Sequence, residues 1–438
     1  MLIAGGRSAL TRFANNAITQ NVEEENYVLS VRSIFGGRTA RATTNRWDDD
    51  SLRRTVAASE SLARVQTPDP ELLPLPGPEG FRSEDGPTVR RAFAETAAVN
   101  AGQRAQAVNQ MVAVAKRHGL TAAGIFACAE SLEAVLNSRG LAAFYEQTSA
   151  EASVTMLAED SSGWQKAGSP DVRQLAPQAL AEIAARKALE SAHPRELPPG
   201  HYTVILEPAA VLDLVGFMFW DWGGLAVLDQ ASFLNNRIGT KLFGANVNIS
   251  DDVYHPLQCG PVFDGEGVRR QRVRLVENGV VKNLVYARAS AERMKRSEPA
   301  AGVGAVGPTG HGFPLPNEAG EAPLNVVFHV PAAEAKTLDQ MIATTGRGIL
   351  VTRLWYIREV DPYQKILTGM TRDGTFYIEQ GRLQGGLRNF RFNESLIEML
   401  SSVEQMSEPV RASGEESFDM VVPAMKIGNF NFTEVTRF

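Results

Sequence analysis

No two histidines in this chain stand close enough for one helix to present both to a single metal ion. The six are His118, His193, His201, His255, His311 and His329. The nearest pair, His193 and His201, is interrupted by Pro194, Pro198 and Pro199, whereas neighbours on a helix face lie three or four residues apart. A catalytic zinc needs three protein donors and an open position for water, so a helix-borne histidine centre is excluded. Cysteine is scarcer still. Cys128 and Cys259 are the only two, too few for a disulfide framework, and a reducing cytoplasm is the compartment they suit. Cys259 has no histidine at a telling distance, which argues against a thiol nucleophile. Neither a Gly-x-Ser-x-Gly elbow nor a phosphate-binding glycine loop occurs. No apolar run reaches the ~18 residues of a membrane span, and the first residues, Met1 to Arg7, lack a signal pattern. Basic charge is in deficit: 44 Lys and Arg face 50 Asp and Glu, for a net charge of −6. That balance gives no general affinity for nucleic acid.

The 438 residues, 44% of them hydrophobic, suffice for two or three domains with their own cores. Alternating patterns predict strands over residues 11–22 and 27–32 with a polar turn at Glu23-Glu24-Glu25-Asn26 between them. Gly36-Gly37 turns the chain into a third strand. Asp48-Asp49-Asp50 opens a helix reaching residue 65. The proline-rich residues 67–87 read as a surface loop. A second helix is predicted over 89–118, stopped by Gly119. Two long strands, 122–136 and 141–158, meet at Asn137-Ser138-Arg139-Gly140. The second is so rich in Ser, Thr and Ala that it suits a place beneath something flat. A third helix covers 175–190. The expectation is an α+β protein of two domains. Residues 1–195 form an antiparallel sheet with helices; residues 196–438 form a mostly antiparallel, barrel-like β domain with a few helices.

The stretch that decides function is 198–243. Tyr202 to Leu206 suits a strand. Pro208 sits where proline is best tolerated in a helix, at its first position. The run from Ala209 to Trp220 is apolar almost all round, so this helix should be buried. Beyond it, Arg270, Arg272 and Arg274 alternate onto one side and read as a strand's solvent face. Asn278-Gly279 tips the clearest hairpin. Residues 302–320 are rich in glycine and proline and read as mobile. Later come a helix at 333–345 and strands at 348–356, 364–371 and 375–380. Asp373-Gly374 and Gln380-Gly381 read as hairpin turns, and a last helix falls at 393–405.

Scattered chemistry remains. Asp264 and Glu266 could form an acid/base pair, although in a glycine-rich turn the reading as solvated residues is favoured. A metal site could be assembled from His201, Glu207, His255 and His311; the plainer reading makes Glu207 a helix cap and His311 a loop donor.

Several blocks together resemble one family, the TldD/PmbA proteins, and within it the TldE (PmbA) branch. They are Thr11-Arg12-Phe13-Ala14-Asn15-Asn16, Pro261-Val262-Phe263-Asp264-Gly265-Glu266-Gly267, Leu275-Val276-Glu277-Asn278-Gly279, Pro308-Thr309-Gly310-His311-Gly312, Leu367-Thr368-Gly369-Met370-Thr371-Arg372-Asp373-Gly374 and Val422-Pro423-Ala424-Met425-Lys426. Their order covers nearly the whole chain. Only Met1 to Leu10 precede the first block, where family members usually carry a helix and a strand. The resemblance implies a heteromeric metalloprotease acting on unfolded peptides. In it a TldD-type subunit holds zinc through His-Glu-x-x-x-His on a helix, with a further ligand from its C-terminal domain. The TldE-type subunit is similar in shape but lacks those ligands. Where that motif would begin, this chain has Leu206-Glu207-Pro208-Ala209-Ala210-Val211. It is therefore expected to bind no cofactor of its own and to depend on a TldD-type zinc partner; a homodimer is also open. An extended substrate is best held by strand addition. Phe144 and Tyr145, and Thr368, Gly369 and Arg372, are the candidate substrate-binding residues. A self-sufficient metallopeptidase with a non-standard site is the alternative.

Overall fold

Asn15 and Asn16, both at positive φ (51° and 61°), reverse the chain between β1 (Leu2–Ala14) and β2 (Ala17–Phe35). The computed structural model describes residues 1–78, 90–297 and 306–436. In it β2 runs unbroken through Glu23-Glu24-Glu25-Asn26, so the polar turn expected there does not form. Those residues pair with β1 throughout, Glu23 opposite Ala9 and Glu25 opposite Arg7. Gly36-Gly37 turns as expected into β3 (Arg38–Thr44), which pairs with β2 only from Leu29 to Phe35. Among the described residues no strand covers the outer edge of β2 from Ala17 to Val28. Asp48 caps α1 (Asp49–Val65) by accepting the Ser51 N–H.

The helix predicted over 89–118 is two helices, α2 (Ala94–Ala97) and α3 (Ala101–Arg117). Asn100 takes an extended backbone and closes a capping box with Gln103, which restarts the helix there; residue 89 itself lies outside the described residues. β4 (Thr121–Leu136) and β5 (Ala142–Leu157) follow as read, and β6 (Ser162–Ser169) adds a strand the pattern did not announce. The six strands make one antiparallel sheet in the order β3-β2-β1-β4-β5-β6. α4 (Pro177–Glu190) buries Ala181, Ala184, Ala185 and Ala188, and α3 buries Val108, Met111, Val112 and Ala115. Both pack over Ala150, Ala152, Val154 and Met156 of β5. The small side chains of β5 are what let helices lie this close.

In the second half, β7 (Gly200–Leu206) leads into α5 (Pro208–Phe219), buried on nearly every side as its composition requires. After α6 (Gly224–Leu228) come β8 (Ile249–Asp251), then the hairpin β9 (Val273–Glu277) and β10 (Val280–Val281) turning on Asn278 and Gly279 at positive φ. Arg272 and Arg274 are exposed as expected, but Arg270 is buried, because β9 begins only at Val273 and Arg270 belongs to the preceding loop. α7 (Arg288–Arg296) follows. Of the segment read as mobile, residues 302–305 fall outside the described residues. Within residues 306–320, Gly310, His311 and Gly312 are buried, His311 at 1% exposure, whereas Pro316, Glu318 and Ala319 are exposed. Then come β11 (Val326–Phe328), a short α8 (Leu338–Ala343) that starts only at its Thr337 cap, and β12 (Arg347–Asp361).

The two strands expected at 364–371 and 375–380 are one, β13 (Ile366–Glu379). Asp373 (φ 52°) and Gly374 (φ 121°) together oppose Thr352 alone, so they form a bulge and not a hairpin turn. Gln380-Gly381 does turn the chain, into β14 (Arg382–Gly386). The helix predicted at 393–405 shrinks to α9 (Leu396–Ser401) between β15 (Phe390–Ser395) and β16 (Val403–Met406). β17 (Val410–Ala412), β18 (Met420–Val422) and β19 (Met425–Val435) end the chain.

These strands make a six-stranded sheet, β10-β9-β8-β11-β18-β17, and a second set ordered β12-β7-β19-β15-β13-β14. Because β12 also pairs with β13, the second set closes on itself as a five-stranded barrel, with β14 and β16 added at its margins. One core joins α5, the barrel and the neighbouring sheet. The expected α+β architecture is observed. No described helix is long and apolar enough to cross a membrane.

Gly163 of β6 lets sheet and helix approach closely. A Cβ there would lie 2.1 Å from the Ala184 carbonyl oxygen and 2.5 Å from the Ala188 nitrogen. Gly163→Ala should push α4 outward and cost about 1–3 kcal/mol, read as a lowered urea midpoint at unchanged slope.

Candidate functional site

Pro208 fixes the first turn of α5, and the residue before it, Glu207, stays extended with its carboxylate free to turn elsewhere. It makes no capping bond to α5, contrary to the expectation. Instead Lys187 Nζ, from α4 of the first half, donates to Glu207 Oε2 at 2.7 Å and to Gln165 Oε1 of β6 at 3.2 Å. Thr352 Oγ1 of β12 donates to Glu207 Oε1 at 3.4 Å. Both ends of the ion pair are nearly buried, with side-chain exposures of 8% and 14%.

Two further polar bridges cross the same junction. The bulge in β13 aims Asp373 at the first sheet, where Ser162 Oγ donates to its Oδ1 at 2.6 Å. Arg353 Nε lies 3.0 Å from its Oδ2. The Arg353 guanidinium sits over the Trp164 and Trp355 rings, 4.9 and 5.4 Å from their centroids. Burial lowers the Arg353 pKa, while the Asp373 charge opposes that shift. Lys166 of β6 donates to the Gly414 carbonyl at 3.1 Å and pairs with Glu151 at 3.3 Å and Glu415 at 3.8 Å.

Asp213, one turn and a half into α5, holds the loop that follows β17. Its Oδ1 accepts the backbone N–H groups of Glu415 and Glu416 at 3.1 and 3.0 Å. Gly414 is obligatory beside it, since a Cβ would lie 2.1 Å from that same oxygen. Burial pushes the Asp213 carboxyl up to about 7, against the pull of the two amides.

The dispersed metal site does not assemble. His201 and Glu207 stand at opposite ends of β7, about 20 Å apart at the rise of a strand. His201 Nδ1 contacts the Asn429 carbonyl oxygen, and His255 Nδ1 accepts the Leu257 N–H. His311 is enclosed between Thr309 Oγ1 and Asp251 Oδ1, both at 2.9 Å. Burial alone would raise the Asp251 pKa, but the His311 ring and Arg270 hold it below the usual carboxylate range. Among the described residues no group of three His, Cys, Asp or Glu side chains could hold a metal ion.

Asp264 and Glu266 are not solvated turn residues, as they were expected to be. Both are buried, because the Asp264 carboxylate gathers the N–H groups of Glu266, Val268 and Gly312, each at 2.9 Å, and Glu266 reaches Arg288 at 3.4 Å. Burial raises both pKa values. Cys259 and Cys128 are free thiols; burial pushes Cys128 up to about 11.

The candidate substrate residues fall in two places. Phe144 is exposed on the helix-bearing face of β5, while Tyr145 is buried on the other, its hydroxyl accepting the Gly260 N–H at 3.2 Å. Thr368, Gly369 and Arg372 lie on β13, and Arg372 stacks on Trp355 at 4.8 Å beside the junction. β13 is paired on both edges, by β12 and by β14 and β15. β5 lacks its β6 neighbour from Ala142 to Ser149, where the Arg91 carbonyl already takes the Thr148 N–H. Lys187, Arg353 and Asp213 were missed as site residues. A lone acid in an apolar helix was the available signal for Asp213; the other two are brought in by tertiary structure.

Replacing Lys187 by Met leaves Glu207 with its charge uncompensated and should destabilise by about 3–5 kcal/mol, whereas the pair Lys187→Met with Glu207→Leu should recover most of it; thermal denaturation of both variants checks this. Because the folded-state pKa of Asp213 is raised, the folded chain binds the extra proton, and stability from this group falls as pH rises from 3.8 toward about 7. Asp213→Asn keeps the Oδ1 acceptor and should flatten that slope in melts taken across this window.

Three comparisons place this architecture among known proteins. The PmbA/TldA metallopeptidase C-terminal domain matches residues 199–434, domain 1 matches residues 3–63 and the central domain matches residues 94–192. The metalloprotease PmbA of Escherichia coli O157:H7 is 22% identical over 449 aligned residues, spanning 96% of this chain and 90% of that protein. TldE of Thermococcus kodakarensis superposes with a TM-score of 0.87 at 19% identity, over 99% of this chain and 96% of that one. A Thermotoga maritima MSB8 protein described as a modulator of a DNA gyrase superposes with a TM-score of 0.84 at 16% identity, over 99% and 95%. At these identities the superpositions show a shared fold.

Proposed function

Since this chain belongs to the PmbA/TldD metallopeptidase family, we propose that it acts as the TldE-like subunit of a two-component peptidase for unfolded peptides. In this reading it contributes peptide binding and part of the chamber wall, and a TldD-type partner contributes the zinc ion that polarises the scissile carbonyl and activates water. The observation that carries the reading is the environment of Glu207. At the start of α5, where a His-Glu-x-x-x-His motif would offer imidazole, carboxylate and imidazole, this chain presents Leu206, Glu207 and Val211. Leu206 and Val211 are buried in the apolar core, and the one carboxylate is bonded to an ammonium at 2.7 Å. A zinc ion needs deprotonated or neutral lone-pair donors; a lysine ammonium beside the only carboxylate is the wrong chemistry. The residues do not fit the metal.

In this reading Lys187, Glu207, Ser162 and Asp373 tie the first sheet to the barrel and hold the subunit as one body.

Mixing experiments test the proposal. The purified chain should carry no stoichiometric zinc by elemental analysis and should leave unfolded casein intact. Cleavage should appear when a His-Glu-x-x-x-His family partner is added, and co-elution of the two chains should accompany it. A tightly bound zinc in every copy of this chain alone, or proteolysis without a partner, overturns the reading.

A further inference from the structure

At the C-terminal end of α5 an open groove of about 470 Å³ runs between the helix and the loop that Asp213 anchors. Phe217 and Trp220 wall one side; Phe418, with Glu415 and Glu416, walls the other. Trp220 is 55% exposed, yet its ring is braced by Phe313, with centroids 6.1 Å apart and planes 33° from parallel. The loop sits directly on the helix because Gly216 has no side chain: a Cβ there would lie 1.8 Å from Ser417 Oγ. The two glutamates are fixed through their own backbone N–H groups, both held by Asp213. Glu416 Oε1 also accepts the Tyr356 N–H at 2.9 Å, which places a ring 60% exposed beyond the rim. Glu415 remains exposed, with Lys166 3.8 Å away as its neighbouring cation.

Aromatic faces and carboxylates select the same thing. A ring's quadrupole attracts an ammonium or guanidinium group lying over it, and a fixed carboxylate pairs with the same group. A neutral chain meets only the apolar half of this surface, and an acidic one meets like charge. A second copy is a poor occupant too, since a two-fold contact sets Glu415 and Glu416 against their own equivalents.

We propose that this groove docks a lysine- or arginine-bearing segment of the extended peptide. The proposal rests on the reading of this chain as a peptide-binding subunit, and names the side chains that subunit favours. Trp220 receives the cation over its ring, Glu415 pairs with it at the rim, and Phe217 and Phe418 cover the aliphatic stem.

Fluorescence anisotropy of the intact chain tests it with two labelled, unstructured Gly/Ser peptides, one bearing several lysines and its twin bearing glutamates at the same positions. The lysine peptide should bind about tenfold more tightly than its twin, with an advantage that shrinks as salt is added. Trp220→Ala, at an exposed side chain, and Glu415→Gln, which keeps the shape of a side chain 34% exposed beside Lys166, should each weaken the lysine peptide roughly three- to tenfold and leave the twin unchanged. Equal binding of the two peptides, no binding of either, or undiminished lysine-peptide binding by both variants overturns the proposal. Should the variants still support partner-dependent casein cleavage while failing these criteria, the docking proposal alone falls and the subunit assignment stands.

Discussion

The second half of this chain is put together around one carboxylate inside an apolar helix. α5 is enclosed by the barrel on one side and by the β8–β18 sheet on the other, so Asp213 has no route to solvent. A buried acid must be hydrogen-bonded or neutral, and this one accepts two amides from the loop after β17 while its Oδ2 has no hydrogen-bond partner among the described residues. The loop is thereby pinned to the helix at a single point. Gly414 and Gly216 then allow contact so close that any side chain would prise it off. The placement of Glu415 and Glu416, and through Glu416 of Tyr356, follows from that one constraint.

The same region shows what could be read from residues alone. The apolar run after Pro208 announced a buried helix, and Asn278-Gly279 announced its hairpin, since both signals are local and strong. Other signals were local but ambiguous. Asn100 with Gln103 is a helix-start pattern lying inside a longer periodic stretch, and only the structure shows that the restart outweighs the periodicity. Asp373-Gly374 suits a hairpin turn or a bulge equally well; the continuous pairing of β13 with β12 decides for the bulge. The burial of Asp264 depends on Gly312, far along the chain, and no window of sequence contains both. The ion pair of Lys187 with Glu207 is of the same kind. Lys187 carries no local mark, the local mark on Glu207 pointed to a helix cap, and their meeting requires α4 and β7 to be in place first.

The junction between the two halves is polar where most of each half is apolar. Two lysine contacts and one serine contact cross it, each to a carboxylate on the opposite side, and Arg353 of the barrel lies over the Trp164 and Trp355 rings. Charged pairs of this sort add little net stability compared with apolar packing, but they penalise any sliding that separates them. Their effect is to fix register between the first sheet and the barrel.

β2 carries a different burden. From Ala17 to Val28 its outer edge has no neighbouring strand among the described residues, and Ile18 and Val22 are exposed along it. Such a ribbon is a template for fibrils, in which identical chains stack edge to edge. Glu23, Glu24 and Glu25 stand on that edge in succession, with Arg7 paired to Glu23, so in-register stacking would line up the carboxylates of Glu24 and Glu25 against their own copies. Charge at an exposed sheet edge is one of the devices that oppose such stacking, and the acidic run sits where edge pairing would begin.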